Sequence, residues 1–117
     1  MIGRLGIEIS VSRSSVHLTV EGEIDIETAP QLLDTVLSAL LIEATDAVPE
    51  VVLDLSGVTF LDSSGIAALL YARRYVASHG ATLVIAKVSN IAAKTIDLAG
   101  VTGTLDIAPA QSDVDPV

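Results

Sequence analysis

The run Val51-Val52-Leu53-Asp54-Leu55, followed at Asp62-Ser63-Ser64-Gly65 by Ile66-Ala67-Ala68-Leu69-Leu70, constrains this chain more than any other stretch. Its first five residues are almost continuously apolar and too few for a helix, which predicts a central strand. Ser56-Gly57 is expected to turn the chain. Ile66, Leu69, Leu70 and Val76 then follow helical spacing, so a helix is predicted from about Ser64 to Ser78, ended by His79-Gly80 with glycine as a left-handed stop. A buried strand therefore delivers two serines to a helix start, where backbone N–H groups lack partners and carry a partial positive charge. A hydroxyl placed there is suited to capping the helix or to carrying a phosphate.

The remaining elements fall around this junction. Ile7, Ile9 and Val11 alternate with polar residues, as do Val16, Leu18 and Val20 after the polar break Arg13-Ser14, and the two runs predict an antiparallel hairpin. Gly22-Glu23-Ile24-Asp25-Ile26-Glu27 reads as a tight acidic loop. Thr28-Ala29-Pro30-Gln31 opens a helix with the Thr/Gln spacing of a capping box and proline in the first turn. Leu32, Leu33, Val36, Leu37, Leu40 and Leu41 give that helix one apolar face to about Ala44. Ala81 to Ala86 predicts another buried strand. Ser89 or Asn90 caps a third helix ending at Gly100, and Thr104 to Ile107 predicts a last short strand. The order β-β-α-β-α-β-α-β implies an α/β domain whose mixed sheet carries its helices mainly on one side, with right-handed parallel crossovers. Residues 1–108 form this single domain, and 109–117 are expected to be a frayed acidic tail.

Composition narrows the function. Six Lys+Arg against fifteen Asp+Glu give a formal charge of −9, and the only adjacent basic pair is Arg73-Arg74. Nucleic-acid binding, which depends on neutralising phosphates, is therefore not expected. The longest apolar clusters fall short of the roughly 20 residues of a membrane span, and Met1 to Gly6 has no apolar leader core, so no membrane insertion is expected. The chain has no cysteine, which removes disulfides, thiolate metal sites and cysteine nucleophiles and fits a cytoplasmic protein.

Two catalytic chemistries fit the sequence around the junction poorly. A nucleophile elbow needs a glycine two residues before its serine, where this chain has Leu61 or Asp62, and His79 lies at the far end of the same helix. His17 is the only other histidine, and no paired His/carboxylate spacing suggests a metal. A phospho-receiver with Asp54 as acceptor and Lys87 as its partner suits the length, but a receiver alternates strand and helix from the start, and this chain opens with a hairpin.

The whole pattern resembles the STAS-domain family of bacterial anti-sigma-factor antagonists. The likeness runs through Gly22-Glu23-Ile24-Asp25, Thr28-Ala29-Pro30, Val51 to Gly65, His79-Gly80-Ala81-Thr82-Leu83 and Leu98-Ala99-Gly100, about residues 5 to 108. Asp62-Ser63-Ser64-Gly65 at a strand-to-helix turn, with Gly-Glu-Ile-Asp upstream, is its specific part. The resemblance implies a binding module with no catalytic residues and no cofactor. It further implies that Ser63, or alternatively Ser64, is phosphorylated by an anti-sigma factor that is itself a serine kinase. The unphosphorylated form would bind that kinase and free a sigma factor, and a serine phosphatase would restore it. Gly22, Asp25, Asp62, Ser63, Ser64 and Gly65 are then the expected partner-binding residues. The alternative is a STAS accessory or scaffold subunit of a lipid-transport or stress-signalling complex, using the same fold without a switch. Plainer roles stand beside these: Ser63 or Ser64 as helix cap, Asp62 as complement to the helix dipole, Asp25 as an Asx-type loop terminator, Gly22 and Gly65 as backbone freedom or close packing.

Overall fold

A computed structural model describes residues 4–12, 15–41, 50–105 and 107. Its elements are β1 (Leu5–Val11), β2 (Ser15–Ile24), α1 (Ala29–Ala39), β3 (Glu50–Leu61), α2 (Ser63–Ser78), β4 (Thr82–Val88) and α3 (Asn90–Leu98). The sheet order is β1-β2-β3-β4, with β1 antiparallel to β2 and the two other pairs parallel. Period-2 alternation explains the layering. Val16, Leu18 and Val20 of β2 are buried while His17 and Thr19 between them are exposed, and Val51, Leu53 and Leu55 continue the buried face on β3. Leu32 and Val36 of α1, Leu69, Ala72 and Val76 of α2, and Ile96 of α3 close over it, each fully out of solvent. The helices thus cover one face of a mixed sheet. Aromatics contribute nothing to this interior: Phe60 and Tyr71 are exposed and Tyr75 is half-buried.

Several boundaries differ from expectation for identifiable reasons. Ser56-Gly57 is not a turn; β3 runs on to Leu61. Relative to β2 it takes in an extra residue between the pairs Thr19/Asp54 and Glu21/Gly57, and another between Gly22/Val58 and Glu23/Phe60. These are bulges, which bend a strand without ending it. β2 likewise extends to Ile24, so the acidic loop shrinks to the turn at residues 25–28. α1 has no capping box: Thr28 already has helical backbone angles, and its hydroxyl donates to the Glu23 carbonyl at 2.7 Å. Gln31 donates instead to the Leu5 carbonyl at 3.0 Å, tying α1 to β1. The helix ends at Ala39, where Leu40 and Leu41 turn back to Leu37 and Ser38, and Leu41 is 82% exposed. Among the described residues the expected last strand is reduced to one parallel bridge, Ile107 to Ile85, and the Leu105 amide is bonded instead to the Val101 carbonyl at 3.0 Å. The Arg13-Ser14 break, the stretch 42–49 and the tail 109–117 lie outside the described residues.

Candidate functional site

The serines stand where β3 meets α2. Asp62 is in extended backbone, φ −118° and ψ −170°, and its Oδ1 accepts from the Ser64 amide at 2.9 Å and the Gly65 amide at 3.2 Å. The Ile66 amide donates to the Asp62 carbonyl at 3.0 Å, closing the first helical turn. Asp62 is therefore the helix cap, and neither serine is. Asp62 takes this place because it is the residue with extended backbone just before the helix, while Ser63 and Ser64 are already inside it, and its charge complements the positive end of the helix. Ser63, the first helical residue, is exposed, and Ser64 is half-buried. Among the described residues neither hydroxyl makes a side-chain hydrogen bond. Ser63 thus offers an accessible, uncommitted hydroxyl beside a carboxylate that already takes the Ser64 and Gly65 amides.

Gly65 sets how close this helix end comes to the sheet. A methyl group in place of its hydrogen would lie 2.4 Å from Leu61 Cδ1, 2.8 Å from Ile24 Cγ2 and 3.1 Å from the Ile24 carbonyl oxygen. Glycine is required here for close packing, while its backbone angles are ordinary. The Asp62 amide reaches the same Ile24 carbonyl at 3.4 Å. The end of β2 is thereby fastened to the start of α2, and Asp25 follows directly.

The turn after β2 is held from a distance. Gly22 has φ +106°, and a Cβ there would fall 2.0 Å from the Arg4 carbonyl oxygen, so both its conformation and its neighbour demand glycine. The Glu23 amide donates to that carbonyl at 2.9 Å. The Arg4 guanidinium then reaches over the turn, donating to Glu23 at 2.7 Å, to both oxygens of Asp25 at 2.6 and 3.1 Å, and to Glu27 at 2.6 Å. Asp25 Oδ1 also accepts from the amides of Glu27 and Thr28 at 2.9 and 3.1 Å, the Asx-type role expected for it. Hydrogen bonds from Arg4 hold the Asp25 carboxyl below its ordinary range, and the same bonds raise Arg4. Three carboxylates against one guanidinium leave the turn acidic.

Arg4 was not among the expected site residues, yet a signal for it existed. A hairpin centred on Arg13-Ser14 pairs residues whose numbers sum to 27, as Leu5 with Gly22 does, and the next step outward sets Arg4 opposite Glu23. The histidines and Asp54 lie away from the serine junction or are engaged locally. His17 Nε2 lies 3.1 Å from the Ser15 hydroxyl on β2, and His79 closes the far end of α2 with Nδ1 3.0 Å from the Tyr75 carbonyl. Burial works to raise Asp54, but the Ser56 hydroxyl and amide, bonded to it at 2.6 and 2.9 Å, and Lys87 leave it lowered. Among the described residues no group of three or more His, Asp or Glu side chains is gathered to hold a metal, and no helix is long and apolar enough to cross a membrane.

A family profile described as "Mlab, STAS domain" matches residues 7–108. An anti-sigma-B factor antagonist of Bacillus subtilis is 24% identical over 103 residues, covering 88% of this chain and 87% of that protein. Among solved structures, an anti-sigma factor antagonist from Mycobacterium paratuberculosis superposes with a TM-score of 0.75 at 24% identity, over 93% of this chain and 89% of the other. The anti-sigma factor antagonist SpoIIAA in its unphosphorylated form gives 0.68 at 19% identity, covering 92% and 90%. SpoIIAA of Bacillus in its phosphorylated form gives 0.62 at 19% identity, covering 91% and 94%.

Proposed function

Because the chain belongs to the STAS-domain family, we propose that it is an anti-sigma-factor antagonist, a protein-binding module switched by phosphorylation of Ser63. Unmodified, it binds an anti-sigma factor that is a serine kinase and so frees a sigma factor; phosphate on Ser63 ends the complex, and a serine phosphatase restores it. The protein acts in the cytoplasm and catalyses nothing itself. The observation that carries this reading is the exposed, uncommitted Ser63 hydroxyl at the first position of α2. A solved relative whose name specifies a phosphorylated form supports it.

The electrostatics supply the mechanism. A phosphate adds about −1.5 to −2 charges. Asp62 already occupies the Ser64 and Gly65 amides, so the helix end has little left to offer the new anion. The added charge is displayed beside Asp62 and the acidic turn instead of being absorbed. A partner surface fitted to a neutral hydroxyl would then face desolvation and like-charge costs of about 3–4 kcal/mol, a loss of hundreds-fold in affinity. No change of fold is needed. Gly22, Gly65 and Asp25 contribute by shaping and holding this surface, and Ser64 is the alternative acceptor.

The test presents the purified chain, with ATP, to the anti-sigma-factor kinases of its host, and maps phosphate by mass spectrometry. Phosphate on Ser63, tight binding by Ser63→Ala and binding weakened by about 100-fold or more in Ser63→Asp are expected. Unimpaired binding by Ser63→Asp refutes the switch. That outcome would favour a STAS accessory or scaffold subunit of a lipid-transport or stress-signalling complex, using the same surface as a static contact, which the Mlab description of the matching profile supports.

A further inference from the structure

We propose that the groove between the starts of α1 and α2 seats a bulky apolar side chain from a basic, amphipathic helix of a partner protein. The groove, about 310 Å³, is lined by Ile26, Ala29, Leu33, Ser64, Ala67 and Tyr71, among others. It rests on the proposed reading of the serine junction as a docking surface, since Ser64 forms one end of it. A small molecule is a poor occupant. The volume sits at the floor of the roughly 300–1,000 Å³ typical of such sites, and the only side-chain polar groups in the lining are the hydroxyls of Ser64 and Tyr71, where several convergent polar groups would be needed. The walls instead leave large apolar groups in water, with Ile26 74% and Tyr71 51% exposed. Single exposed hydrophobics are ordinary, but an aromatic and an aliphatic side chain facing one concave, apolar strip form the kind of pocket that anchors a protein partner.

The backbone and the charges define that partner further. Two packed helices present a groove between side-chain ridges, into which a third helix fits its own row of i, i+3/i+4 residues. On the α1 side the rim is acidic: Glu27 is well exposed, and exposed Asp34 follows Leu33 one turn on from Pro30. Asp62 and Asp25 lie toward the Ser64 end, where Arg4 is already engaged by Glu23, Asp25 and Glu27. At the opposite end the exposed Arg74 stands one turn beyond Tyr71. Against this rim, in a chain of formal charge −9, the occupant's lysines or arginines face Glu27 and Asp34, and its end beyond Tyr71 carries no cation. Ser63 is next to the groove's mouth, so a phosphate there obstructs close seating even of a basic helix.

The ¹⁵N-labelled full chain is titrated with a synthetic helical peptide carrying leucine at i, i+4 and i+7 on an alanine/lysine background, and with a twin in which glutamate replaces lysine. Saturable shifts at Ile26, Leu33, Ala67 and Tyr71 are expected with the lysine peptide, and binding weaker by about tenfold or more with its twin. Ala67→Gln, a neutral and bulkier side chain at an exposed helical position, and Tyr71→Ala should each cost about tenfold. The proposal is overturned by absent or non-saturable shifts, by shifts confined to β1 or α3, by equal binding of the twin, or by indifference to both variants. Its failure is separable from that of the switch. Loss of the groove effects with Ser63 still phosphorylated by the kinase removes only the groove, and groove binding without Ser63 phosphorylation removes only the switch.

Discussion

Replacing Gly65 by alanine sets two effects of opposite sign against each other. In the interior of a helix this change is worth up to about 1 kcal/mol in favour of alanine, and less in the first turn where Gly65 sits. Against it stands a methyl group 2.4 Å from Leu61 Cδ1, 2.8 Å from Ile24 Cγ2 and 3.1 Å from the Ile24 carbonyl oxygen. Leu61 has a flexible end that could turn away. Ile24 is fully buried and β-branched, and its carbonyl also receives the Asp62 amide, so neither of its atoms yields without moving β2 from α2. Overpacking of this kind costs about 1–3 kcal/mol, which outweighs the propensity gain and leaves a net loss of about 1–2 kcal/mol. Urea melts followed by far-UV circular dichroism should show a lower midpoint at unchanged slope, and thermal melts a Tm lower by about 4–8 °C. Gly80→Ala is the control: φ is +76° with nothing within 4 Å of the new methyl, so only backbone strain of about 1 kcal/mol is added. Equal or greater stability of Gly65→Ala would refute the claim that this contact sets the distance between sheet and helix at the serine junction.

Other outcomes follow from the same geometry. Asp62→Ala removes the acceptor for the Ser64 and Gly65 amides and should cost about 1 kcal/mol in urea melts, with Asp62→Asn recovering most of it. Gly22→Ala meets both the +106° angle and the Arg4 carbonyl and should lose about 3 kcal/mol or more, read as the soluble, cooperatively melting fraction. The lowered Asp25 group makes folding favour its charged form. Its contribution is complete above its ordinary value of 3.8 and fades as pH falls through the depressed folded value. In Tm measurements from about pH 5 to about pH 2, Arg4→Met should therefore flatten the acid limb relative to the parent chain, and an unchanged limb would deny Arg4 its hold on Asp25.

Local chemistry accounts for what could be read from residues in order. The hairpin followed from the alternation of Ile7, Ile9 and Val11 and of Val16, Leu18 and Val20; the covered face holds on β2, whose three are buried, whereas on the edge strand β1 only Ile7 is half-buried and Ile9 and Val11 are 47% and 53% exposed. α2 followed from the spacing of Ile66, Leu69 and Val76 and from Gly80, and Ser89 was recognisable as a cap because it needs only the Ala92 amide three residues on, which it receives at 3.2 Å. Where a rule of local spacing met a tertiary partner, the partner won. The Thr28/Gln31 capping box matched in sequence, yet Thr28 bonds back to Glu23 and Gln31 across to Leu5. Ser56-Gly57 looked like punctuation, yet pairing with Glu21 and Gly22 on β2 carried the strand through it as a bulge.

The serine junction divides along the same line. Residues 51–70 were sufficient to predict a strand, two serines and a helix start, because each rests on contacts within a few positions. Which side chain caps that helix was settled by the extended backbone at Asp62, and its distance from the sheet by Ile24, about forty residues earlier in the chain. The charge on the neighbouring turn depends on Arg4, brought there only by the hairpin register. The groove beside Ser64 exists only because α1 and α2 pack together. Spacing along a chain encodes which groups recur on one face, whereas the shape and field of a docking surface are sums over groups that only folding makes neighbours.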